Sequence, residues 1–223
     1  MNKDIQKRIE EDTQKRIDEM TKWSKEFGKE VKDGKLVLYH GTSEKYLKKI
    51  IEEGLKPRGK RKSNWEEGIG KSRPDLVYLT NCYAAFYASH VSTKKDKPVV
   101  LKIEIDTRDF IMYPDEEFVF RTLFGSGKGL SHAEAVEAYN EIDPTEYSFW
   151  REGLQFMGTV STNFIPVENI VGYAIGDGME FLMNCDPSIS PLNYRFMGGS
   201  YKAYLESLEY QPLVAQKIVR GTP

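Results

Sequence analysis

Two cysteines in 223 residues, Cys82 and Cys185, are too few for a disulfide framework or a cysteine-ligated zinc centre. The three histidines, His40, His90 and His132, include no pair at metal-ligand spacing on a common element, so no metal is expected. No apolar run approaches the ~20 residues that a membrane-spanning helix needs. The first twenty residues are dense in charge, which argues against a signal peptide and makes the cytoplasm the expected location. The formal net charge of −2 implies no global attraction to nucleic acid or membrane, so any polyanion binding has to come from a local patch. Neither a G-x-S-x-G elbow nor a G-x-G-x-x-G following a strand occurs, which leaves hydrolase and dehydrogenase readings without support. FGSGKGLS (124–131) lacks both the four-residue gap and the hydroxyl residue after lysine of a phosphate loop, and it reads as a plain loop.

What the chain does contain is aromatic. Phe, Trp and Tyr make up 12% of it, with 13 Tyr against 11 Phe and 3 Trp, too many for a disordered chain and suited to ligand sites as well as cores. The length fits one compact domain with an appendage, able to bury about 70% of the surface its unfolded chain exposes. The appendage is residues 1–34, expected as a charged amphipathic helix. Ile5, Ile9, Ile17, Met20, Trp23, Phe27 and Val31 recur there in steps that favour one face, a stripe suited to packing or to a dimer. Beyond Lys35 the texture changes. LVLYHG reads as a buried strand ending at glycine, and Ser43 as the N-cap of a helix through EKYLKKIIEE that Gly54 closes. A polar, basic loop over Lys56–Asp75 precedes a strand at 76–79 and a helix over Tyr83–Val91. PVVLKIEID (98–106) alternates like a strand with one wet face. Residues 107–149 read as a variable insert with helices over Glu116–Phe124 and Ser131–Asn140. QFMGTVSTNF and ENIVGYAIG carry strand content, and a last helix is expected over Ser200–Leu208. Unevenly spaced strands with interspersed helices indicate an α+β fold.

LYHGTS (38–43) is the informative segment, because a histidine, a glycine and a hydroxyl residue converge at a strand terminus. An imidazole can hold a ribose hydroxyl, and a residue without Cβ lets an amide approach the main chain. The order LYHGTS, helix, GLKPR, loop, DLVYLTN, helix with YAS, then PVVLKIEID resembles the ADP-ribosyltransferase superfamily, in its histidine-tyrosine branch. The resemblance covers 38–106 closely and 150–176 more loosely. It implies a split mixed β-sheet that grips NAD⁺, the substrate, in a cleft. It also implies that His40 contacts a ribose hydroxyl, that Gly41 bonds the nicotinamide carboxamide through its backbone, and that Tyr78 and Tyr87 sandwich the nicotinamide. A cationic pyridinium is well held between electron-rich ring faces. Thr42 and Thr80 would add hydroxyl contacts, and Arg58 a phosphate contact.

The family's third motif is a glutamate at the start of a late strand, where a fixed carboxylate stabilises an oxocarbenium-like transition state. The corresponding stretch here offers Gln155, with Glu152 one turn earlier, while Glu168 reads as the cap or start of the following strand. KPRGKRK (56–62) clusters Lys56, Arg58, Lys60, Arg61 and Lys62 beside Trp65, a set suited to the NAD⁺ pyrophosphate or to a nucleic-acid acceptor. The PDEEF and GSGKG stretches are candidate rims of the cleft. The expected activity is NAD-dependent mono-ADP-ribosyl transfer to a protein or nucleic acid. Two alternatives stay open. One is an NAD-dependent RNA 2′-phosphotransferase, whose HGT and GL layout is shared but whose second motif is histidine-rich. The other is a catalytically silent NAD or ADP-ribose binding module.

Overall fold

The computed structural model describes residues 34–60, 72–93, 95–125, 129–185 and 198–213. The amphipathic helix expected over 1–34 lies, apart from Gly34, outside the described residues, as do Arg61, Lys62 and Trp65.

Among the described residues, seven strands form one open sheet in the order β4-β5-β2-β1-β3-β6-β7. They are β1 (Lys35–Ser43), β2 (Val77–Thr80), β3 (Pro98–Asp106), β4 (Met112–Pro114), β5 (Thr159–Thr162), β6 (Ile170–Ile175) and β7 (Gln211–Pro212). Every neighbouring pair is antiparallel, which corrects the mixed sheet expected from the resemblance. Strands that run the same way are kept apart: β2 and β3 share a direction, but β1 lies between them and pairs antiparallel with both.

The α-helices are α1 (Glu44–Glu53), α2 (Ala84–Val91), α3 (Glu116–Phe124), α4 (His132–Glu141), α5 (Trp150–Met157), α6 (Gly178–Cys185) and α7 (Gly198–Ser207). Among the described residues, none is long and apolar enough to cross a membrane. The α+β class expected from the sequence is the class observed.

Strand pleating divides the core in two. On one face Leu36 and Leu38 of β1 join Val77, Leu79, Leu101, Ile103 and Val160, covered by Leu47 and Ile50 of α1 and Trp150 and Leu154 of α5. On the other, Tyr39 and Val100 lie under Ala84, Ala85 and Ala88 of α2, with Phe181, Tyr201 and Leu205. A third cluster joins α3 and α4 through Val119, Phe120 and Ala135. The 107–149 stretch is woven into the sheet, since Met112 and Pro114 of β4 pair with Thr162 and Val160 of β5.

Two local expectations shift. Strand β1 runs on to Ser43 because β3 supplies partners as far as Pro98, a non-local pairing that the glycine does not interrupt. Ser43 therefore stands at the N-cap position as the last strand residue, and its buried hydroxyl makes no capping bond.

Gly41 is required by packing. A Cβ there would lie 2.2 Å from the Ala84 carbonyl oxygen and 2.5 Å from the Ala88 nitrogen, so α2 crosses β1 backbone to backbone. Neither contact can yield as a flexible side chain would. Gly41→Ala should therefore cost about 1–3 kcal/mol, the usual range for overpacking. Urea titration should show a lower midpoint at unchanged slope, and an unaltered midpoint would refute this packing account.

Candidate functional site

Strands β1 and β3 pair along the whole of β1, from Lys35 opposite Asp106 to Ser43 opposite Pro98. With β2, by contrast, β1 pairs at one register position, Tyr39 opposite Thr80. Beyond that position the two strands part, and the His40 side chain bridges them. Its Nδ1 lies 2.8 Å from the Tyr78 carbonyl oxygen. A carbonyl only accepts, so Nδ1 carries the hydrogen, and the neutral ring keeps a free acceptor at Nε2. Burial holds His40 below its ordinary pKa, against the upward pull of the Tyr78 carbonyl, so the ring is neutral at pH 7.

Gly41 lies on the sheet face that α2 covers. Tyr87, on α2, has its Cβ 2.9 Å from the point where a Gly41 Cβ would sit. Tyr78 lies two residues before Thr80, on the same face of the sheet, where continued pairing would set it opposite Gly41. Both rings are half-buried. Tyr87 meets Tyr83 edge-on at 6.4 Å and Phe86 at 5.7 Å.

The hydroxyl end of Tyr78 is pinned. It accepts from the Arg73 backbone N–H at 2.7 Å and donates to Oε1 of Glu116. Burial, reinforced by the Glu116 charge, raises the Tyr78 pKa, so the phenol stays neutral across the working range. Glu116 opens α3 and is 2% exposed. Asp115 is the N-cap of that helix and accepts from the Glu117 N–H at 2.9 Å. Burial first, then the Glu116 and Glu117 charges, push Asp115 up to about 7, and hydrogen bonds from the Glu117 N–H and the Thr159 side chain oppose them. Burial likewise raises Glu116, while the Tyr78 hydroxyl lowers it. Arg73 is held by Asp75 at 3.0 and 3.1 Å and by Asp143 at 3.2 Å.

The third-motif assignment needs correction. Gln155 and Glu152 stand on α5 and not at the start of a strand. Trp150, Gly153, Leu154 and Met157 recur at helical spacing and are buried, which makes WREGLQFM a helix despite its strand-like continuation. Gly158, at φ +71 and with Cys82 Sγ 2.6 Å from its hypothetical Cβ, turns the chain into β5. The strand begins at Thr159. Glu152 is exposed and Gln155 half-buried, and among the described residues neither shares a hydrogen bond with His40 or Tyr78. Glu168 sits in a single 3₁₀ turn, Val167–Asn169, just ahead of β6.

Other expected groups have structural duties. The Thr80 hydroxyl accepts from the Cys82 and Tyr83 N–H groups at 3.1 and 3.0 Å, folding the turn into α2. Thr42 is buried in β1 opposite Val99. Arg58 donates to the Ser72 carbonyl at 2.6 Å and so closes the base of the basic segment, and Lys60 is exposed. A surface depression of about 470 Å³ lies elsewhere, lined by Phe110, Ile111, Phe164, Asp109 and Glu168, none of which belongs to the His40–Tyr78 cluster.

Sequence reasoning missed Glu116, Asp115 and Arg73 as site residues. The available signal was PDEEF, whose acids after proline mark a helix start. Nothing local separates the buried Glu116 from its neighbour Glu117, which pairs with Arg121. No family model and no curated protein matches this chain.

A carboxyl raised by burial weakens the fold once it ionises. The unfolded chain loses that proton near pH 4 and the folded one only near the raised value of about 7. Stability should thus fall as pH rises through this window, with the cost fully present above it. Asp115→Asn keeps a capping oxygen and removes the charge. Relative to wild type it should gain on the order of 1–3 kcal/mol at pH 8 and little near pH 4. Denaturation at the two pH values tests this, and a gain independent of pH would contradict it.

Proposed function

We propose that this chain is an NAD⁺-dependent mono-ADP-ribosyltransferase that modifies a macromolecular acceptor. One observation carries the reading: His40, Gly41, Tyr78 and Tyr87 gather where β1 and β2 part. The donor set suits the dinucleotide. His40 Nε2 is a fixed acceptor for a ribose hydroxyl, because the Tyr78 carbonyl sets the tautomer through Nδ1. Tyr87 abuts Gly41 through its Cβ and Tyr78 stands on the same sheet face of the neighbouring strand, two half-buried aromatic rings of the kind that attract a flat cation. The Gly41 main chain is the group proposed to hold the carboxamide. NAD⁺ itself supplies the chemistry: an anomeric carbon that an acceptor can take as nicotinamide leaves.

The acceptor class, protein or nucleic acid, is set by surfaces beyond this cluster, and the Lys56–Lys60 stretch tilts it only slightly toward nucleic acid. The test is incubation with labelled NAD⁺ and whole-cell extract, following nicotinamide release and the macromolecular fraction that takes up label. Label in protein or nucleic acid supports the proposal. Release only with 2′-phosphorylated RNA would replace it with phosphotransfer, and NAD⁺ binding without release would leave a silent binding module.

His40→Ala should lower transfer by two or more orders of magnitude while costing the fold only about 1 kcal/mol, the worth of one hydrogen bond. Retained turnover would refute the site. Tyr78→Ala should weaken NAD⁺ binding far more than Tyr78→Phe, because the ring face is the larger contribution. Equal losses would shift the interaction to the hydroxyl.

A further inference from the structure

The proposed site has a buried carboxylate that the activity just described does not use. Glu116 comes from α3, 38 residues beyond Tyr78, yet accepts the hydrogen bond of the Tyr78 hydroxyl. The direction of that bond is fixed by its other neighbour. The Arg73 N–H can only donate and the ionised Glu116 can only accept, so the phenol oxygen accepts from the first and sends its own hydrogen to the second. The Arg73 guanidinium bonds Asp75 and Asp143, so among the described residues Tyr78 is the side chain that hydrogen-bonds Glu116, beside main-chain N–H donors of Arg73 and Glu116 itself.

A carboxylate 2% exposed is costly to bury, and a glutamine would anchor the same hydroxyl without that cost. The charge therefore calls for a use. A phenol donating to a carboxylate is polarised toward phenolate, and hydrogen-bonded chains in a dry interior strengthen such polarisation. The extra electron density lies in the half-buried ring.

We infer that Glu116 is a positioning residue of this site. Its carboxylate fixes the attitude of the Tyr78 ring and enriches the face that ring presents to a cationic nicotinamide. The inference rests on the NAD⁺ reading above and adds a discrimination to it, for oxidised over reduced dinucleotide, since the reduced nicotinamide carries no positive charge. It also provides a carboxylate influence at the site by a route other than the late-strand glutamate that Gln155 and Glu152 do not replace.

Calorimetric titration of wild type, E116Q, Y78F and the double variant with NAD⁺ and with NADH tests this. E116Q should weaken NAD⁺ binding roughly tenfold, within the range of a partly desolvated cation–π contact, and leave NADH within about twofold. The double variant should bind NAD⁺ no more weakly than Y78F, because both changes cut one link. An E116Q protein that keeps the wild-type preference for NAD⁺ overturns the inference alone. So does one that loses both nucleotides equally, which would mark a purely structural role. Wild type binding neither nucleotide would remove the site, and the inference with it. Should E116Q not fold, Y78F carries the test from the other side of the same bond, and an unchanged preference for NAD⁺ again overturns it.

Discussion

The parting of β1 from β2, spanned by one hydrogen bond from the His40 ring to the Tyr78 carbonyl, is the constraint on which the site depends. Backbone groups inside a sheet are obliged to pair. Where two strands diverge, something else must satisfy them, and here a side chain does so. That substitution selects the imidazole tautomer, orients the free nitrogen and ties the ring to the strand that carries Tyr78. Replacing His40 would thus remove a ligand contact and a piece of strand pairing together.

Much of the fold was legible in the sequence because its signals are local. The α3 boundaries agree residue for residue with the expected Glu116–Phe124, since the apolar spacing and the acidic start lie within one helix. Helix α1 ends at Gly54, as a glycine C-cap predicts. The strand over 98–106 appears with the expected bounds. The failures are non-local. The end of β1 is decided by β3, which lies far along the chain, and α5 was hidden by the strand-forming residues that follow it. The direction of strand pairing depends on where each connection returns, which no residue pattern records.

The candidate site divides in the same way. His40, Gly41 and Tyr78 could be singled out because LYHGTS and DLVYLTN, taken in order along the chain, resemble a known family's motifs. Glu116 could not, because its burial depends on a contact with a residue 38 positions away. Charge in a helix's first turn reads as a solvated cap, and Glu117 fills that ordinary role with Arg121. Only the tertiary structure separates the two neighbours. Thr80 was assigned to ligand binding on chemistry that it spends instead on the turn into α2.

The contact between α2 and β1 at Gly41 has a mechanical consequence. With no side chain between the two backbones, strand and helix have no cushion over which to slide, and they move as one piece. Any widening of the gap on ligand entry must be taken up on the β2 side. There β2 is paired with β5 along its whole length, and the Arg73 ion pairs and the Tyr78–Glu116 bond add polar links beside that ladder. The site thus lies between two paired units, β1 with α2 carrying His40 and Tyr87, and β2 with β5 carrying Tyr78.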